Sequence, residues 1–440
     1  MGTKKMLPLM VSMALPPMIS MLIQSLYNII DSIFVARLSE TALSAVSIIY
    51  PMQNLTLSVA VGTGVGLNSF IARALGAGDR KRVEASCAIG FFMTGIHYLL
   101  MAFLGGIAMR PFVHFFTNDQ EVMKLCFDYG YVVILFCFGQ LFHITIEKIF
   151  QSKGKMLIPM VLQAVGCIVN IILDPILIFG LFGLPALGVK GAAIATVLGQ
   201  MSSFGLGLYL FLKGKSEIQL PKRNEMVLDK NIVKSIYSVA IPSTLIMAFP
   251  SILVAGLNGI LVKFSSLAVS VFGIYYKLQT FVYMPATGLI QGIRPIISYN
   301  YGAGNREREK EAIKLSILII DGLMTIGTVL FWCFPIPIMQ IFKSTKEMEQ
   351  MGVAALQLIS IGFIPSTMGN ITSAVFEAMG KGGRSLMITL LRQLIIVLPF
   401  AWIMSHYIGL SGVWIAFPIA EIVAAIYASV ILIRELDIEK

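Results

Sequence analysis

Charged residues are scarce in this sequence: they make up 13% of its 440 residues, whereas hydrophobic residues make up 57%. The mean hydropathy of +0.84 is far above that of a water-soluble chain of this size. The apolar stretches, such as 194–212, also lack the alternation of apolar and polar residues that a membrane β-barrel requires. These absences exclude a soluble protein and a barrel, and they leave a bundle of membrane helices.

The sequence has little that points to a cofactor or a metal. Its five cysteines include no CxxC pair, so we expect neither a disulfide framework nor a zinc site. His97 and His406 have no partner at ligand spacing. Gly62, Gly64 and Gly66 are spaced as in a nucleotide-binding loop, but no P-loop lysine follows. We interpret them as small residues that allow close helix packing. We therefore expect no cofactor and no ATP-binding module.

What the sequence has instead is a series of apolar stretches of about 20 residues or more, enough to cross a hydrocarbon core of ~30 Å. We predict twelve spans, with the fourth over 120–150 and the tenth over 347–378. Starting inside, the inside loops hold roughly three times as many lysines and arginines as the outside loops, which predicts cytoplasmic termini. The net charge of +10 therefore reflects topology and does not indicate a nucleic-acid partner.

Over most of a half, the sequence matches itself without gaps at a shift of 226 residues, the separation of Pro16 and Pro242, and after a slip of two residues Gly188-Val189 matches Gly412-Val413. The match includes loops, for example 76–78 with 302–304, so we interpret it as an internal duplication. Each half holds six spans. Because six is even, both halves enter the membrane in the same orientation, as parallel repeats.

The predicted fold is an all-α polytopic membrane protein with twelve helices in two six-helix lobes around a central cavity. The lobes are placed at 1–212 and 234–440, and a polar cytoplasmic linker is placed at 213–233. Two similar bundles can rock between inward-open and outward-open states, which is what alternating access requires. This architecture favours a transporter over an enzyme or a receptor.

Asp31 and Asp174 of the first half lie inside predicted spans, where a carboxylate costs several kcal/mol and is by default a functional hypothesis. Each shares one helix face with polar residues at spacings of four, three and four: Ser20, Gln24, Tyr27 and Asp31, and Gln163, Cys167, Asn170 and Asp174. Asn170 is one turn from Asp174 and is placed to donate to it. At the shift of 226, Asp31 falls on Leu257 and Asp174 falls near Pro399, so the pair belongs to the first half alone. The alternative is that both acids pack helices or lie at the outer interface.

Other charged residues of the predicted spans receive no role from the sequence. We expect Glu147 to form an ion pair with Lys148, and Glu377 to lie at the membrane interface. The remaining cations either close salt bridges or face a polar cavity: Lys277, Arg294 and Arg392.

Three motifs are similar to those of the multidrug and toxic compound extrusion (MATE) family. They are Pro16-Pro17 through Leu26-Tyr27-Asn28-Ile29-Ile30-Asp31, the loop Gly76-Ala77-Gly78-Asp79, and Asn170-Ile171-Ile172-Leu173-Asp174-Pro175 with the Ile176-Leu177-Ile178-Phe179-Gly180 that follows. The resemblance covers essentially the whole chain. Within the family, the sequence looks closest to the prokaryotic DinF-like branch, which carries an acid pair in its first lobe.

The resemblance implies a secondary active multidrug efflux transporter of the prokaryotic plasma membrane. It would export organic, often cationic, compounds by antiport with H⁺ or Na⁺ through alternating access. By the resemblance, Asp31, Asn170 and Asp174 are the cation-coupling residues, and Pro16 matches a proline where the first helix bends. Membrane lipids are the other expected partners, and we expect a monomer.

The candidate drug contacts are polar residues of the predicted first lobe: Gln24, Tyr27, Asn54, His143 and Gln163. Two other functions remain open from the sequence. The first is a flippase for lipid-linked precursors or polysaccharides of the same superfamily, which would need a basic cavity. The second is an intramembrane aspartyl protease, but neither Asp31 nor Asp174 lies in a GxGD motif, so we predict that the protein is not an enzyme.

Overall fold

The structure is a computed structural model that describes residues 1–215, 217–218, 229–342 and 344–438. Within these ranges the chain is mostly helical and contains no β-strand, which confirms the predicted all-α class. The helices of the first half are α1 (Met6–Ala36), α2 (Glu40–Gly76), α3 (Arg80–Phe116), α4 (Gln120–Leu135), α5 (Phe138–Ser152), α6 (Leu157–Phe179) and α7 (Val189–Leu212).

The second half repeats this order. Its helices are α8 (Lys230–Leu261), α9 (Ser266–Gly302), α10 (Arg306–Cys333), α11 (Pro335–Gln340), α12 (Lys346–Ser360), α13 (Phe363–Met379), α14 (Gly382–Leu390), α15 (Val397–Ile408) and α16 (Leu410–Ile438). A π-helical turn, Leu391–Ile395, joins α14 to α15. Turns of this kind occur mostly as single interruptions of a helix, often where a side chain is needed in a particular direction.

The duplication extends to the signals that start the helices. Ser39 before α2 and Ser265 before α9 are both extended, and the hydroxyl of each accepts a hydrogen bond of 3.0 Å from the backbone N–H three residues later. Asp79 and Asn305 cap α3 and α10 in the same way. Such caps satisfy one of the free N–H groups at a helix start and each stabilise it by ~1 kcal/mol. Sequence positions 226 apart therefore have the same local structure.

Nine spans of the described chain, among them α14 and α15 taken together, are long and apolar enough to cross a bilayer. Two more spans are bent pairs: α4 with α5, at 41°, and α12 with α13, at 48°. The sequence predicted each of these pairs as one continuous span. The predicted eighth span corresponds to α9, a helix of 37 residues that carries Lys277 and Arg294 and is not among these eleven. The described chain therefore has nine helices, or eleven spans with the bent pairs, that are apolar enough to cross a membrane, and the predicted fourth and tenth spans are broken near their middle.

The chain forms two compact units, which we call the first unit (Leu15–Ala240) and the second unit (Met1–Ala14 with Ile241–Lys440). Thus α1 and α8 each pass from one unit to the other directly before a proline, Pro16 or Pro242. The predicted lobes assign 1–14 and 234–240 differently, so the lobe boundaries stay a prediction. The predicted linker, 213–233, lies in part outside the described residues, at 216 and 219–228.

Glycines allow close helix crossings at the start of α1 and of α8. A Cβ atom at Gly292 on α9 would lie 2.6 Å from the carbonyl oxygen of Met13 on α1, within the second unit. A Cβ atom at Gly66, the equivalent position on α2, would overlap the carbonyl oxygen of Ile236 on α8, within the first unit. Small residues permit such close backbone approach in membrane proteins. The interpretation of Gly66 as a packing residue is confirmed.

Candidate functional site

The first unit contains a polar cavity of about 480 Å³. Its polar and ionisable lining consists of Gln24, Tyr27, Asn28, Asp31, Ser32, Tyr50, Gln53, Asn54, Tyr129, Gln140, His143, Gln163, Asn170, Thr196, Gln200 and Ser203. The volume lies within the range of small-molecule sites. All five residues proposed from the sequence as drug contacts line this one cavity, together with Asp31 and Asn170.

The helix α1 contributes the polar face that its spacing predicted. Gln24, Tyr27 and Asp31 all reach the cavity, because residues three and four apart lie above one another on a helix. Ser20, the first member of the stripe, is not part of the lining, and its hydroxyl donates instead to the carbonyl oxygen of Pro16 at 3.0 Å. Pro16 itself is buried one turn before Ser20, outside the cavity.

The helix α6 contributes a second polar face, held against α7 by a glycine contact. A Cβ atom at Gly199 on α7 would lie 2.6 Å from the carbonyl oxygen of Gly166 on α6. This crossing brings Asn170 of α6 close to Thr196 of α7, and the Asn170 amide donates to the Thr196 hydroxyl at 3.3 Å. The expectation that Asn170 donates to Asp174 was wrong, because the partner across the helix crossing is available instead.

The carboxyl group of Asp174 is fully buried one turn beyond Asn170. Neither of its oxygens makes a hydrogen bond of normal geometry within the described chain. Asp31, which is half-buried in the cavity wall, is its nearest acidic neighbour, and the two carboxyl groups interact electrostatically. A buried carboxylate without a compensating cation or donor is costly. The site can therefore lower its free energy by taking up a proton or another small cation.

The bend between α4 and α5 directs further polar residues toward the cavity. Because α5 begins at Phe138, Gln140 and His143 fall in its first two turns, and both line the cavity. His143 is buried, and its Nε2 has no hydrogen-bond partner among the described residues. On α4, the Tyr129 hydroxyl accepts a hydrogen bond of 3.3 Å from Gln53 of α2.

Sequence reasoning missed several members of this lining: Gln53, Tyr129, Gln140, Thr196 and Gln200. Gln140 is three residues before His143 and could have been found by extending that helical face. The others lie on α2, α4 and α7, and no acid lies three or four residues from any of them. Their place in the cavity depends on how the helices pack together.

The other charged residues inside the spans are mostly paired. Lys148 Nζ lies 3.1 Å from the Glu147 carboxylate, so the predicted ion pair is confirmed. In the second unit, Arg294 pairs with Glu377 at 2.7 Å. Glu377 also accepts a hydrogen bond from Ser243 and is buried, and its place at the membrane interface stays a prediction.

A third ion pair joins Arg392 of the π-helical turn to Glu421 of α16. The guanidinium donates to both carboxylate oxygens, at 2.8 and 2.9 Å, and to the amide oxygen of Asn370 at 2.6 Å. Glu421 was missed from the sequence, as was Asp321 on α10. Lys277 is exposed on α9.

The lining of the first-unit cavity includes no lysine or arginine among the described residues, so it does not provide the basic surface that a flippase for pyrophosphate-linked lipids would need.

Comparison with known proteins agrees with this arrangement. The MatE family model matches residues 16–176 and 242–403, together more than half of the chain, and the two matches begin 226 residues apart. The FAD transporter of Shewanella oneidensis is 24% identical, covering 95% of this chain and 92% of its own. The multidrug export protein MepA of Staphylococcus aureus strain MSSA476 is 26% identical, covering 96% and 92%. A crystal structure of a MATE protein in the bent conformation is similar at a TM-score of 0.92 and 27% identity, covering 98% of this chain and 95% of that one.

The long apolar helices, the duplicated sequence and the polar cavity beside Asp31 and Asp174 are features of a multi-pass membrane transporter, and the relatives are named as transporters or export proteins of this family, which lies in the prokaryotic plasma membrane and does not consist of enzymes. Because the family model matches both halves, the chain belongs to the MATE family. The resemblance that the motifs of α1 and α6 indicated is thereby confirmed.

Proposed function

We propose that this transporter exports organic, often cationic, compounds by antiport with H⁺ or Na⁺ through alternating access. The observation that carries the proposal is the fully buried Asp174 carboxyl group, which has no compensating charge and interacts with Asp31 in the cavity wall. The similarity to a multidrug export protein supports the substrate class. No cofactor beyond the coupling ion is needed, because an ion gradient supplies the free energy.

The proposed coupling follows from electrostatics. Two carboxyl groups close together in a poorly solvated site cannot both be charged without a large cost. Uptake of a proton or a sodium ion removes this cost, and its release restores a negative charge that attracts a cationic compound. If the neutral and the charged states favour different conformations, the ion and the drug become negatively coupled, as exchange requires. In this proposal the hydrogen bond from the Asn170 amide to the Thr196 hydroxyl holds the polar face of α6 in place against α7.

Everted vesicles test the exchange directly. Vesicles containing the protein are loaded with either a proton gradient or a sodium gradient, and accumulation of the fluorescent cation ethidium is followed under each. We expect accumulation under one gradient that exceeds control vesicles and collapses when the matching ionophore is added. Equal accumulation with and without any gradient would contradict the proposal.

We further propose that Pro16 is a hinge. A proline in a helix removes a backbone hydrogen bond, so bending there costs little. Pro16 lies where α1 passes from the second unit to the first, next to the segment that is held close to Gly292. Pro242 has the equivalent place on α8.

Pro16→Ala should therefore slow transport about tenfold or more, while expression and thermal stability stay the same or rise, because alanine restores the missing hydrogen bond. Ethidium export and detergent unfolding temperature are measured for Pro16→Ala and for a matched control, Pro111→Ala, which changes a proline near the end of α3. Normal transport by Pro16→Ala at normal expression would remove Pro16 from the mechanism.

A further inference from the structure

The lining of the first-unit cavity is rich in side-chain amides. Eight of its residues carry one: Gln24, Asn28, Gln53, Asn54, Gln140, Gln163, Asn170 and Gln200. Polar side chains inside a membrane protein are costly unless they serve a ligand, a water-filled space or one another. The number of amides therefore calls for a ligand that uses them.

Many of these groups have no protein partner. Gln24, Gln140 and Gln200 make no side-chain hydrogen bond within the described ranges. Two buried atoms at the cavity, the Asn170 amide oxygen and the His143 Nε2, also lack a partner there. A buried donor or acceptor that stays unpaired is costly, so a ligand that pairs with it is favoured over one that leaves it unpaired. Unpaired amides thus present both donors and acceptors to the cavity.

The cavity has little else to offer a ligand. Its lining contains no lysine or arginine, and no phenylalanine, tryptophan or methionine, among the described residues. Within the described part of the chain, the one acid of its lining is Asp31, which the proposed function assigns to the coupling ion. The rings present belong to His143 and to Tyr27, Tyr50 and Tyr129, which combine a flat apolar face with a hydroxyl group. A phosphate therefore finds no cationic side chain among these residues, whereas the aliphatic residues Val46, Leu57 and Ile144 and the tyrosine rings can contact an apolar face of a ligand.

We propose that the cavity binds neutral, planar heterocycles whose edge alternates N–H donors with carbonyl or ring-nitrogen acceptors, as in a pyrimidinedione or an isoalloxazine ring. A carboxamide pairs with such an edge through two parallel hydrogen bonds, which is how asparagine and glutamine recognise a nucleobase. The tyrosine rings provide stacking faces. This inference rests on the proposed export function and specifies the substrate class of the same cavity.

Matched probes test the chemistry in everted vesicles under the gradient that drives ethidium accumulation. Riboflavin is the neutral probe. Its 3-methyl derivative lacks the central N–H donor, and its phosphate ester, flavin mononucleotide, adds charge that the lining cannot pair. We expect riboflavin to accumulate, and both derivatives to accumulate about tenfold less. Flavin mononucleotide or the 3-methyl derivative accumulating as well as riboflavin would overturn the inference.

Substitutions locate the interaction. Gln140→Leu and Gln200→Leu keep the side-chain size but remove the amide, and each should lower the ratio of riboflavin to ethidium transport about tenfold. The matched control is Gln357→Leu, a half-buried glutamine of α12 outside the lining, which should leave both rates unchanged. An unchanged ratio in both lining variants would contradict the inference. Ethidium accumulation without any riboflavin accumulation refutes this substrate class while the export function stands, whereas accumulation of neither compound refutes the export function itself.

Discussion

Replacing Asp31 or Asp174 with asparagine should abolish drug-driven ion exchange while the protein still reaches the membrane. Asparagine has nearly the same shape as aspartate but cannot ionise, so the site can no longer alternate between a charged and a neutral state. Coupling between two sites in a protein amounts to factors of up to about 100, and we expect a loss of that order in each single variant. Ethidium-driven ion flux in proteoliposomes is the measurement.

Asp174→Asn should be the better tolerated of the two for folding. The wild-type carboxyl group is fully buried without a hydrogen bond of normal geometry, so a neutral amide removes a potential buried charge. Loss of exchange with unchanged or raised thermal stability would therefore separate coupling from folding.

The matched control for the acid pair is Asp321→Asn. Asp321 is also an acid inside a membrane-spanning helix, α10, but it belongs to the second unit and is not part of the cavity lining. We expect normal exchange in this variant. Normal exchange in the Asp31→Asn, Asp174→Asn double variant would contradict the proposed site and direct attention to the charged residues of the second unit.

The second large effect concerns stability. Arg392→Leu should destabilise the protein by about 3–5 kcal/mol, because it leaves Glu421 as an unpaired charge inside a membrane-spanning helix. The Arg392 side chain packs directly against Gly369 of α13, where a Cβ atom would lie 2.8 Å from the Arg392 Cδ. Unfolding temperature in detergent and the yield of monodisperse protein report the loss.

A double-mutant cycle separates the ion pair from packing. Glu421→Leu alone should also be strongly destabilising, whereas Arg392→Leu with Glu421→Leu together should recover most of the loss, because no charge remains unpaired. A double variant whose loss equals the sum of the two single losses would show that the pair contributes little, and that the single effects come from packing.

The two-lobed helical fold could be predicted because its signals are local and occur twice. Ser39 and Ser265 are ordinary helix caps. Ser39 precedes the cap Asp79 by as many residues as Ser265 precedes the cap Asn305, and this repeat can be seen in the sequence without any knowledge of packing. Breaks inside spans were missed, since the segment around Phe136 between α4 and α5 contains neither proline nor a polar cluster. Apolar composition fixes where a span lies, but it does not show where the helix bends.

The part of the site on α1 and α6 could also be read from spacing. An acid in a membrane helix marks one face, and the polar residues at helical spacing from Asp31 or Asp174 then follow. No acid lies three or four residues from Gln200 or Tyr129. The crossing of α6 with α7 and the bend before α5 bring polar side chains of several helices to the same cavity.

Partners across helices were the least predictable feature. Asn170 was assigned to Asp174 because the two are one turn apart, yet its amide bonds to Thr196 on the next helix. Glu421 was overlooked because its partner, Arg392, is 29 residues away on another helix. Spacing along one helix gives the face on which a residue lies, and the packing of the next helix decides its partner.

The central claim is that the acid pair of the first unit exchanges a coupling ion for the transported compound. The most direct test is ion release on addition of ethidium to purified protein in weakly buffered detergent, followed with a pH-sensitive dye and, in parallel, with a sodium-sensitive dye. The account predicts release of one of the two ions from the wild-type protein, and release of neither from the Asp31→Asn, Asp174→Asn double variant. Equal release from the wild-type protein and the double variant would contradict it.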